Sequence, residues 1–180
     1  MSTNTLSIGS NLPGFNLPGV DDKYYSQESF ADSKVLIVIF SCNHCPYVKA
    51  YQGRIIAIQR DYEDKGVSVI AVNSNDELNY PEDSFENMKI RVAEENFNFP
   101  YLRDENQSVA EAFGATHTPE IFVFDNKRKL VYHGKIDDNW QEPEKAVNHY
   151  LKNALDELLE GKEISVPETF SIGCTIKWRV

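Results

Sequence analysis

Two cysteines lie three positions apart within residues 42–46, whose sequence is Cys-Asn-His-Cys-Pro. Cys42 and Cys45 follow an apolar run, residues 35–40, that is typical of a strand buried on both faces. A helix is predicted to begin here, and the unpaired amides and dipole of a first helical turn favour an anion. We therefore expect the pKa of Cys42 to be lowered, since the thiolate is the form that attacks disulfides. Cys45 is close enough to close a ring and release a bound partner.

A zinc half-site and a haem attachment site are the alternative interpretations of this pair. Structural zinc usually takes a second cysteine pair at similar spacing, and the chain has only one further cysteine, Cys174. Cys174 with His44 or His117 would complete a zinc site only in an irregular arrangement. Haem attachment needs histidine directly after the second cysteine, where this chain has Pro46. Redox chemistry is therefore favoured, and we expect no metal and no organic cofactor.

The composition narrows the class of protein and its partners. The 180 residues are enough for a sizeable core, and we expect residues 1–180 to form one domain. A formal net charge of −10 argues against nucleic acids and anionic membrane surfaces. The longest apolar run has six residues, whereas a membrane helix needs about 20. The polar N-terminus lacks a secretory pattern and three cysteines do not make a disulfide scaffold, so we expect a cytoplasmic protein.

Apolar spacing and capping signals predict alternating strands and helices. Strands are expected over residues 35–40, 67–72, 121–124 and 130–133, with a short extended piece over 99–102. Helices are expected over residues 46–64, after a cap at Asp83 or Ser84, over 108–113 with a capping box from Ser108 to Glu111, and over 143–160. Residues 9–20 suggest an extended arm, and residues 162–180 show no clear period. The order predicts an α/β fold with a central mixed sheet and helices on both faces.

Several motifs in these elements resemble a known family. The strand leading to residues 42–46, and Thr118-Pro119 before the strand 121–124, resemble the thioredoxin superfold. The acidic arm, the stretch 73–100 and the residues Phe-Pro-Tyr-Leu-Arg-Asp over 99–104 resemble its peroxiredoxin and redoxin branch. The chain is most similar to the peroxiredoxin-like redoxin family, over nearly its whole length; further motifs lie at residues 43–48, 73–76, 81–83 and 172–178. The resemblance implies a thioredoxin-like fold with an N-terminal extension.

The resemblance also implies a substrate-binding region around Pro46, Thr118 and Pro119. The Thr118–Pro119 peptide bond would be cis and face the disulfide, and the Thr118 backbone would pair with an extended substrate. An ordinary trans strand start is the alternative. His44 is either an exposed residue at a helix start or a group that stabilises the Cys42 thiolate. Because stabilising the reduced form makes a disulfide more oxidising, and oxidising members of the superfold have histidine here, we expect a potential above that of a typical thioredoxin.

Departures from the family patterns leave several roles open. The first strand lacks the buried acid that thioredoxins use as a proton acceptor, and Ile39 stands where peroxiredoxins place the threonine that orients peroxide. Cys174 is either a buried apolar residue or a resolving thiol for a Cys42 sulfenic acid. The acidic pairs at 82–83 and 137–138 are interpreted as solvated loop charge rather than as a metal or acid/base site.

The sequence thus predicts a thiol-disulfide oxidoreductase for cell redox homeostasis. Cys42 would attack the substrate, Cys45 would resolve the mixed disulfide, and His44 would tune the thiolate. A thiol peroxidase, with Cys42 peroxidatic and Cys45 or Cys174 resolving, is the second interpretation, and a non-catalytic redox sensor is the third. The expected partners are a disulfide-containing protein, a small thiol or a peroxide, together with a thiol reductant system.

Overall fold

The computed structural model of the protein describes residues 4–180, which form nine strands and four α-helices within that range. The strands are β1 Asn16–Pro18, β2 Tyr24–Ser26, β3 Val35–Ser41, β4 Val67–Asn73, β5 Tyr101–Arg103, β6 His117–Thr118, β7 Glu120–Phe124, β8 Leu130–Gly134 and β9 Cys174–Thr175. The helices are α1 Pro46–Tyr62, α2 Phe85–Glu95, α3 Ser108–Phe113 and α4 Tyr150–Leu159. None of these helices is long and apolar enough to cross a membrane.

Five of the strands form a central mixed sheet in the order β5-β4-β3-β7-β8. Strands β3, β4 and β5 are parallel, while β7 and β8 run antiparallel as a hairpin. This topology confirms the predicted α/β fold with a mixed sheet. Strand β3 lies in the middle, so its C-terminal end, where the cysteines follow, is surrounded by other elements.

The two faces of the sheet carry separate apolar cores because successive side chains of a strand point to opposite sides. Val35, Ile37 and Ile39 of β3 pack with buried residues of α1, α2 and α4. Leu36, Val38 and Phe40 pack on the other face, with α3 and with Leu12, Phe15 and Leu17 of the N-terminal arm. All seven residues of β3 are buried, which explains why its sequence is apolar without alternation.

The N-terminal arm is extended, as predicted, and folds into the β1–β2 hairpin. It meets the edge of the central sheet, where the Val20 amide donates to the Tyr101 carbonyl. The extension that the family resemblance implied therefore covers part of one face and one edge of the sheet.

The last helix begins at Tyr150, so the predicted start at residue 143 is wrong. Residues 143–145 form a single 3-10 turn, and Ala146 is extended. The Asp138 carboxylate accepts hydrogen bonds from the amides of Val147 and Asn148. In a helix that began at residue 143, these two amides would have to bond to helical carbonyl groups instead. Because the Asp138 carboxylate already accepts them, the helix begins after this turn.

The predicted capping box at the start of α3 is also wrong. The residue before the helix is Gln107, whose φ of 65° lies in the left-handed region. The Asp104 carboxylate accepts the amides of Val109 and Ala110 at 3.3 and 2.9 Å. A carboxylate four residues upstream of the helix thus stabilises its first turn, and the predicted helix end at Gly114 is confirmed.

Candidate redox site

The two cysteines lie at the junction between β3 and α1, the position that the sequence predicted. Strand β3 ends at Ser41, and α1 begins at Pro46, which is exposed at the first helical position. Cys42 is only 1% exposed and Cys45 is fully buried. Their burial in a small cluster with Val48 removes both sulfurs from direct contact with solvent.

Thr118 lies against both thiols. The Cys42 sulfur is 3.4 Å from the Thr118 hydroxyl, and Cys45 donates to the Thr118 carbonyl oxygen at 3.4 Å. The Thr118–Pro119 peptide bond is cis, which confirms that prediction. The structure therefore brings together Cys42, Cys45, Thr118 and Pro119, residues separated by more than seventy positions in the chain.

The surroundings of the two thiols shift their pKa values in opposite directions, so Cys45 is the first of the pair to ionise. The pKa of Cys42 is raised by its interaction with the Cys45 sulfur, by burial, and by the charge of Asp83. The pKa of Cys45 is lowered by its interaction with the Cys42 thiol, against the opposing effect of burial. The expected lowering of the Cys42 pKa is wrong for this reduced state. Cys42 lies before the helix and beside the buried Asp83, not in the first helical turn.

Asp83 supplies a buried carboxylate beside Cys42. Its side chain is fully buried and accepts hydrogen bonds from the Asn43 amide at 2.6 Å and from the Asn75 side chain at 3.0 Å. The interpretation of this acidic pair as solvated loop charge is wrong for Asp83, although its neighbour Glu82 is exposed. Sequence reasoning missed it because residues 81–83 form a 3-10 turn outside any periodic pattern.

Asn43 fixes the cysteine loop to this turn. Its backbone amide donates to Asp83, its side-chain nitrogen donates to the Glu82 carbonyl oxygen at 2.9 Å, and its side-chain oxygen Oδ1 accepts from the Tyr101 hydroxyl at 2.8 Å. The Tyr101 ring is itself fully buried in the core. Asn43 therefore positions Cys42 relative to the buried carboxylate, a role that its place between the cysteines did not indicate.

His44 faces Asp83. Its Nδ1 atom lies 2.6 Å from the Asp83 carboxylate, and its ring is stacked on Tyr80 with centroids 5.9 Å apart. The side chain is 26% exposed, so it is neither a core residue nor a fully solvated one. His44 therefore lies beside both the Asp83 carboxylate and the Cys42 sulfur.

Removing this imidazole is expected to make the protein more reducing. In a His44→Ala variant the Asp83 charge loses the imidazole that lies 2.6 Å from it, opposes the Cys42 thiolate more strongly and lowers the potential by about 30 mV, the equivalent of about 1.4 kcal/mol. The potential is measured by equilibration in glutathione redox buffers. His149→Ala, which changes an exposed histidine at the start of α4, is the matched control. Equal potentials in the two variants would contradict a tuning role for His44.

One group of metal-ligating atoms occurs among the described residues. Donor atoms of Cys42, His44 and Asp83 lie within 4.8 Å of one another. Neither Cys174 nor His117, the residues considered for an irregular zinc site, belongs to this group. The Asp83 oxygens already accept the two strong hydrogen bonds from Asn43 and Asn75, so the donor set fits charge tuning of Cys42 better than it fits four-ligand structural zinc.

Cys174 lies in β9, which pairs antiparallel with β6 so that Cys174 is opposite Thr118. Its side chain packs against the buried cysteine cluster and is itself only partly buried. Burial, and then its hydrogen bond to Cys45, raise the pKa of the Cys174 thiol to about 11. The Thr118 backbone that was expected to pair with a substrate is therefore paired with the protein's own C-terminal segment, in a region where the sequence showed no period.

A second buried carboxylate holds the loop before Pro119. Burial opposes ionisation of Glu120, but hydrogen bonds from His133, Thr116 and His117 outweigh it and lower the pKa of Glu120. The His133 Nε2 atom lies 2.6 Å from Glu120, a pairing that the sequence did not indicate. Glu120 thus braces the backbone that carries Thr118.

The acidic pair at residues 137–138 has two different structural roles. Asp137 is buried and accepts hydrogen bonds from Arg54 at 2.8 and 2.9 Å, so the interpretation as solvated charge is wrong for it. Asp138 is the carboxylate that shapes the turn before α4. Neither residue belongs to the group of donor atoms around Cys42.

The fold and site together define a class of protein. A central mixed sheet with helices on both faces, and two adjacent thiols between β3 and α1 beside Pro119, are the features of a thioredoxin-like thiol redox protein. The redoxin family profile matches residues 7–151, and the chain belongs to the redoxin family.

Solved structures share this fold over almost the whole chain. An uncharacterised conserved protein of Geobacillus kaustophilus is 41% identical, with a TM-score of 0.91 and coverage of 98% of this chain and 94% of that one. A hypothetical protein of Sinorhizobium meliloti 1021 is 37% identical, with a TM-score of 0.91 and coverage of 98% and 97%. A putative thiol:disulfide interchange protein of Chlorobium tepidum is 19% identical, with a TM-score of 0.67 and coverage of 87% and 98%, and supports the fold alone. No curated protein matches the sequence.

Proposed function

We propose that this protein is a thiol-disulfide oxidoreductase that cycles between a Cys42–Cys45 dithiol and a Cys42–Cys45 disulfide. The observation that carries the proposal is the position of the two thiols, which lie in one buried cluster with each sulfur 3.4 Å from an oxygen of Thr118. Adjacent thiols of unequal pKa suit exchange, because one sulfur attacks while the other takes up its proton.

In the first step Cys42 attacks one sulfur of a substrate disulfide. The Cys42 proton passes to the neighbouring Cys45 thiolate, a new bond joins Cys42 to the substrate, and the other substrate sulfur leaves as a thiolate. In the second step Cys45 attacks the Cys42 sulfur and closes the intramolecular disulfide. The second substrate sulfur leaves and takes the proton that Cys45 releases, so the substrate gains two electrons and the protein loses two.

A disulfide-containing protein or a small disulfide is the proposed substrate class, with a thiol system of a reducing cytoplasm as the electron source. Because Cys42 is 1% exposed, a substrate sulfur reaches it only when the neighbouring residues move. His44 and Glu82 lie at the outer side of the site and are the more exposed of its residues. Pro46, Thr118 and Pro119 would orient the partner once that movement has occurred.

A thiol peroxidase is the second candidate, and one contact favours it. The Thr118 hydroxyl lies 3.4 Å from the Cys42 sulfur and offers a group to orient peroxide, although Ile39 occupies the position of the peroxiredoxin threonine. In that reaction peroxide oxidises Cys42 to a sulfenic acid, and Cys45 or Cys174 displaces water to form a disulfide. A redox sensor would form the same disulfide without turnover.

Equilibration with glutathione redox buffers tests the proposal. Acid trapping, alkylation and trypsin digestion then report the oxidation state of the pair directly. Residues 35–49 form one tryptic peptide that contains both Cys42 and Cys45. We expect this peptide to lose two hydrogens in a single two-electron transition, at a potential above the value of about −270 mV for thioredoxin. Thiols that stay reduced in excess oxidised glutathione would contradict the proposal, and consumption of hydrogen peroxide far faster than of disulfide would favour the peroxidase.

A further inference from the structure

The buried dithiol has a third thiol beside it, on a residue that is less buried than either cysteine of the pair. Cys42 and Cys45 are 1% and 0% exposed, whereas Cys174 is only partly buried. Cys174 packs against the buried cluster that contains both sulfurs. It lies opposite Thr118, whose backbone carbonyl oxygen is 3.4 Å from the Cys45 sulfur. The strand pairing therefore places Cys174 beside Cys45, and not only beside Cys42, the residue that the sequence suggested as its partner.

The pairing of β9 with β6 holds Cys174 in this position. Cys174 lies opposite Thr118, and the Ile176 amide donates to the Thr116 carbonyl at 2.9 Å. Ile176 is buried in the core, so the segment is anchored just beyond Cys174. Gly173 permits the close approach, because a Cβ at this position would collide with the Thr118 carbonyl oxygen.

The residues just before Cys174 are partly exposed. Phe170 exposes 94% of its surface, and residues 171–173 are only partly buried. The Thr169 amide donates to the His133 carbonyl at 3.0 Å, and Ile172 packs against the core, so the segment is held on both sides of Cys174.

We propose that Cys174 is a third redox thiol, which takes over the disulfide by attacking Cys45 and presents it to an external thiol reductant. This inference rests on the proposed Cys42–Cys45 cycle and names the route by which that buried disulfide is reduced.

The internal exchange needs no external oxidant or reductant, because every bond, electron pair and proton stays within the protein. The Cys174 thiolate attacks the Cys45 sulfur of the Cys42–Cys45 disulfide, a Cys45–Cys174 bond forms, and Cys42 leaves with the electron pair. Cys42 then takes up the proton that Cys174 released, so no net oxidation occurs. One thiolate of a dithiol reductant next attacks the Cys174 sulfur, forms a mixed disulfide with it and displaces Cys45 as a thiolate. The second thiol of the reductant then attacks the reductant sulfur of that mixed disulfide, displaces Cys174 as a thiolate and completes the reductant's own disulfide.

Oxidation of Cys45 itself prepares Cys174 for this attack. Beyond burial, the causes that raise the Cys174 pKa are its hydrogen bond to Cys45 and the charge of that sulfur, while Lys177 lowers it. A disulfide at Cys45 carries no charge and is a poor acceptor, so both of these causes disappear and the effect of Lys177 remains. The Cys174 thiolate thus becomes easier to form when its target is present.

The test uses variants that leave two cysteines each. In Cys42→Ser, oxidation with one equivalent of diamide is expected to join Cys45 to Cys174, which links the tryptic peptide 35–49 to the peptide 163–177. Cys45→Ser is the matched control, since it leaves Cys42 and Cys174 without the Cys45 contact. We expect at least about tenfold more linked peptide in Cys42→Ser, because neighbouring thiols have a high effective concentration. Equal yields, or more in Cys45→Ser, would overturn the inference.

Oxidation of the wild-type protein distinguishes failure of this inference from failure of the proposed function. After the same oxidation we expect both the internal disulfide of peptide 35–49 and the linked peptides. An internal disulfide without linked peptides would overturn the relay and leave the proposed function intact, whereas no disulfide at all would overturn both. Reduction of the oxidised protein by dithiothreitol is expected to be about tenfold slower in Cys174→Ser, since the accessible sulfur is missing.

A backbone variant tests the position of the segment without removing a thiol. Gly173→Ala introduces a Cβ against the Thr118 carbonyl, so β9 must shift and the yield of linked peptide is expected to fall severalfold. Gly14→Ala is the matched control, because its Cβ would meet no atom within 4 Å. Unchanged linkage in Gly173→Ala would show that the strand pairing does not place Cys174 for exchange.

Discussion

Cys42→Ser is expected to lower the rate of disulfide reduction by about a thousandfold or more, since a hydroxyl does not replace the attacking thiolate. Cys45→Ser is expected to give a different result, a mixed disulfide at Cys42 that persists because the thiol that resolves it is missing. Reduction of insulin by dithiothreitol measures turnover in both variants. Incubation with oxidised glutathione followed by mass spectrometry of the intact protein detects the trapped intermediate.

The pair of variants decides which sulfur attacks first. The negative charge in the reduced state is favoured at Cys45, so the assignment of Cys42 depends on proton transfer between the two sulfurs. If glutathione were trapped in Cys42→Ser and not in Cys45→Ser, Cys45 would be the nucleophile. Thermal unfolding of both variants, which change one buried sulfur each, is the control for folding.

Asp83→Asn is expected to move the pH–rate profile of disulfide exchange to lower pH by about one unit or more. The Asp83 charge raises the pKa of Cys42, because a negative charge opposes formation of a nearby thiolate. An uncharged amide of the same shape removes that opposition, so the thiolate forms at lower pH. Stabilising the reduced form in this way also raises the potential, by about 30 mV for each unit.

The neighbouring Glu82 provides the matched control for this charge. Glu82→Gln removes a half-exposed carboxylate 3.9 Å from His44, and solvent screening should leave the profile nearly unchanged. Asp83→Asn and His44→Ala are expected to shift the potential in opposite directions, since one removes the charge and the other removes its partner. A slower reaction at every pH in Asp83→Asn would instead identify Asp83 as a proton acceptor.

The helices and strands that position the cysteines could largely be predicted from local sequence patterns. Strands β3 and β4 are nearly continuous apolar runs, which is typical of strands buried on both faces. Helix α1 has apolar residues at helical spacing, which is typical of a helix with one buried face. The predicted helix starts and caps were wrong where a side chain accepts hydrogen bonds from nearby backbone amides, as Asp138 does before α4 and Asp104 does before α3. Such bonds depend on side-chain chemistry that periodicity does not record.

The sequence by itself determined the fold class, the two adjacent thiols at the end of the central strand and the nearby Thr118–Pro119 loop, because these follow from local apolar patterns and short motifs. Only the tertiary structure decided that Asp83 is buried beside Cys42 and that Cys174 packs against the buried cysteine pair. Both contacts join segments far apart in the chain, and both come from irregular segments with no periodic pattern. Their positions are set by the sheet order and by hydrogen bonds that form only once the sheet has assembled.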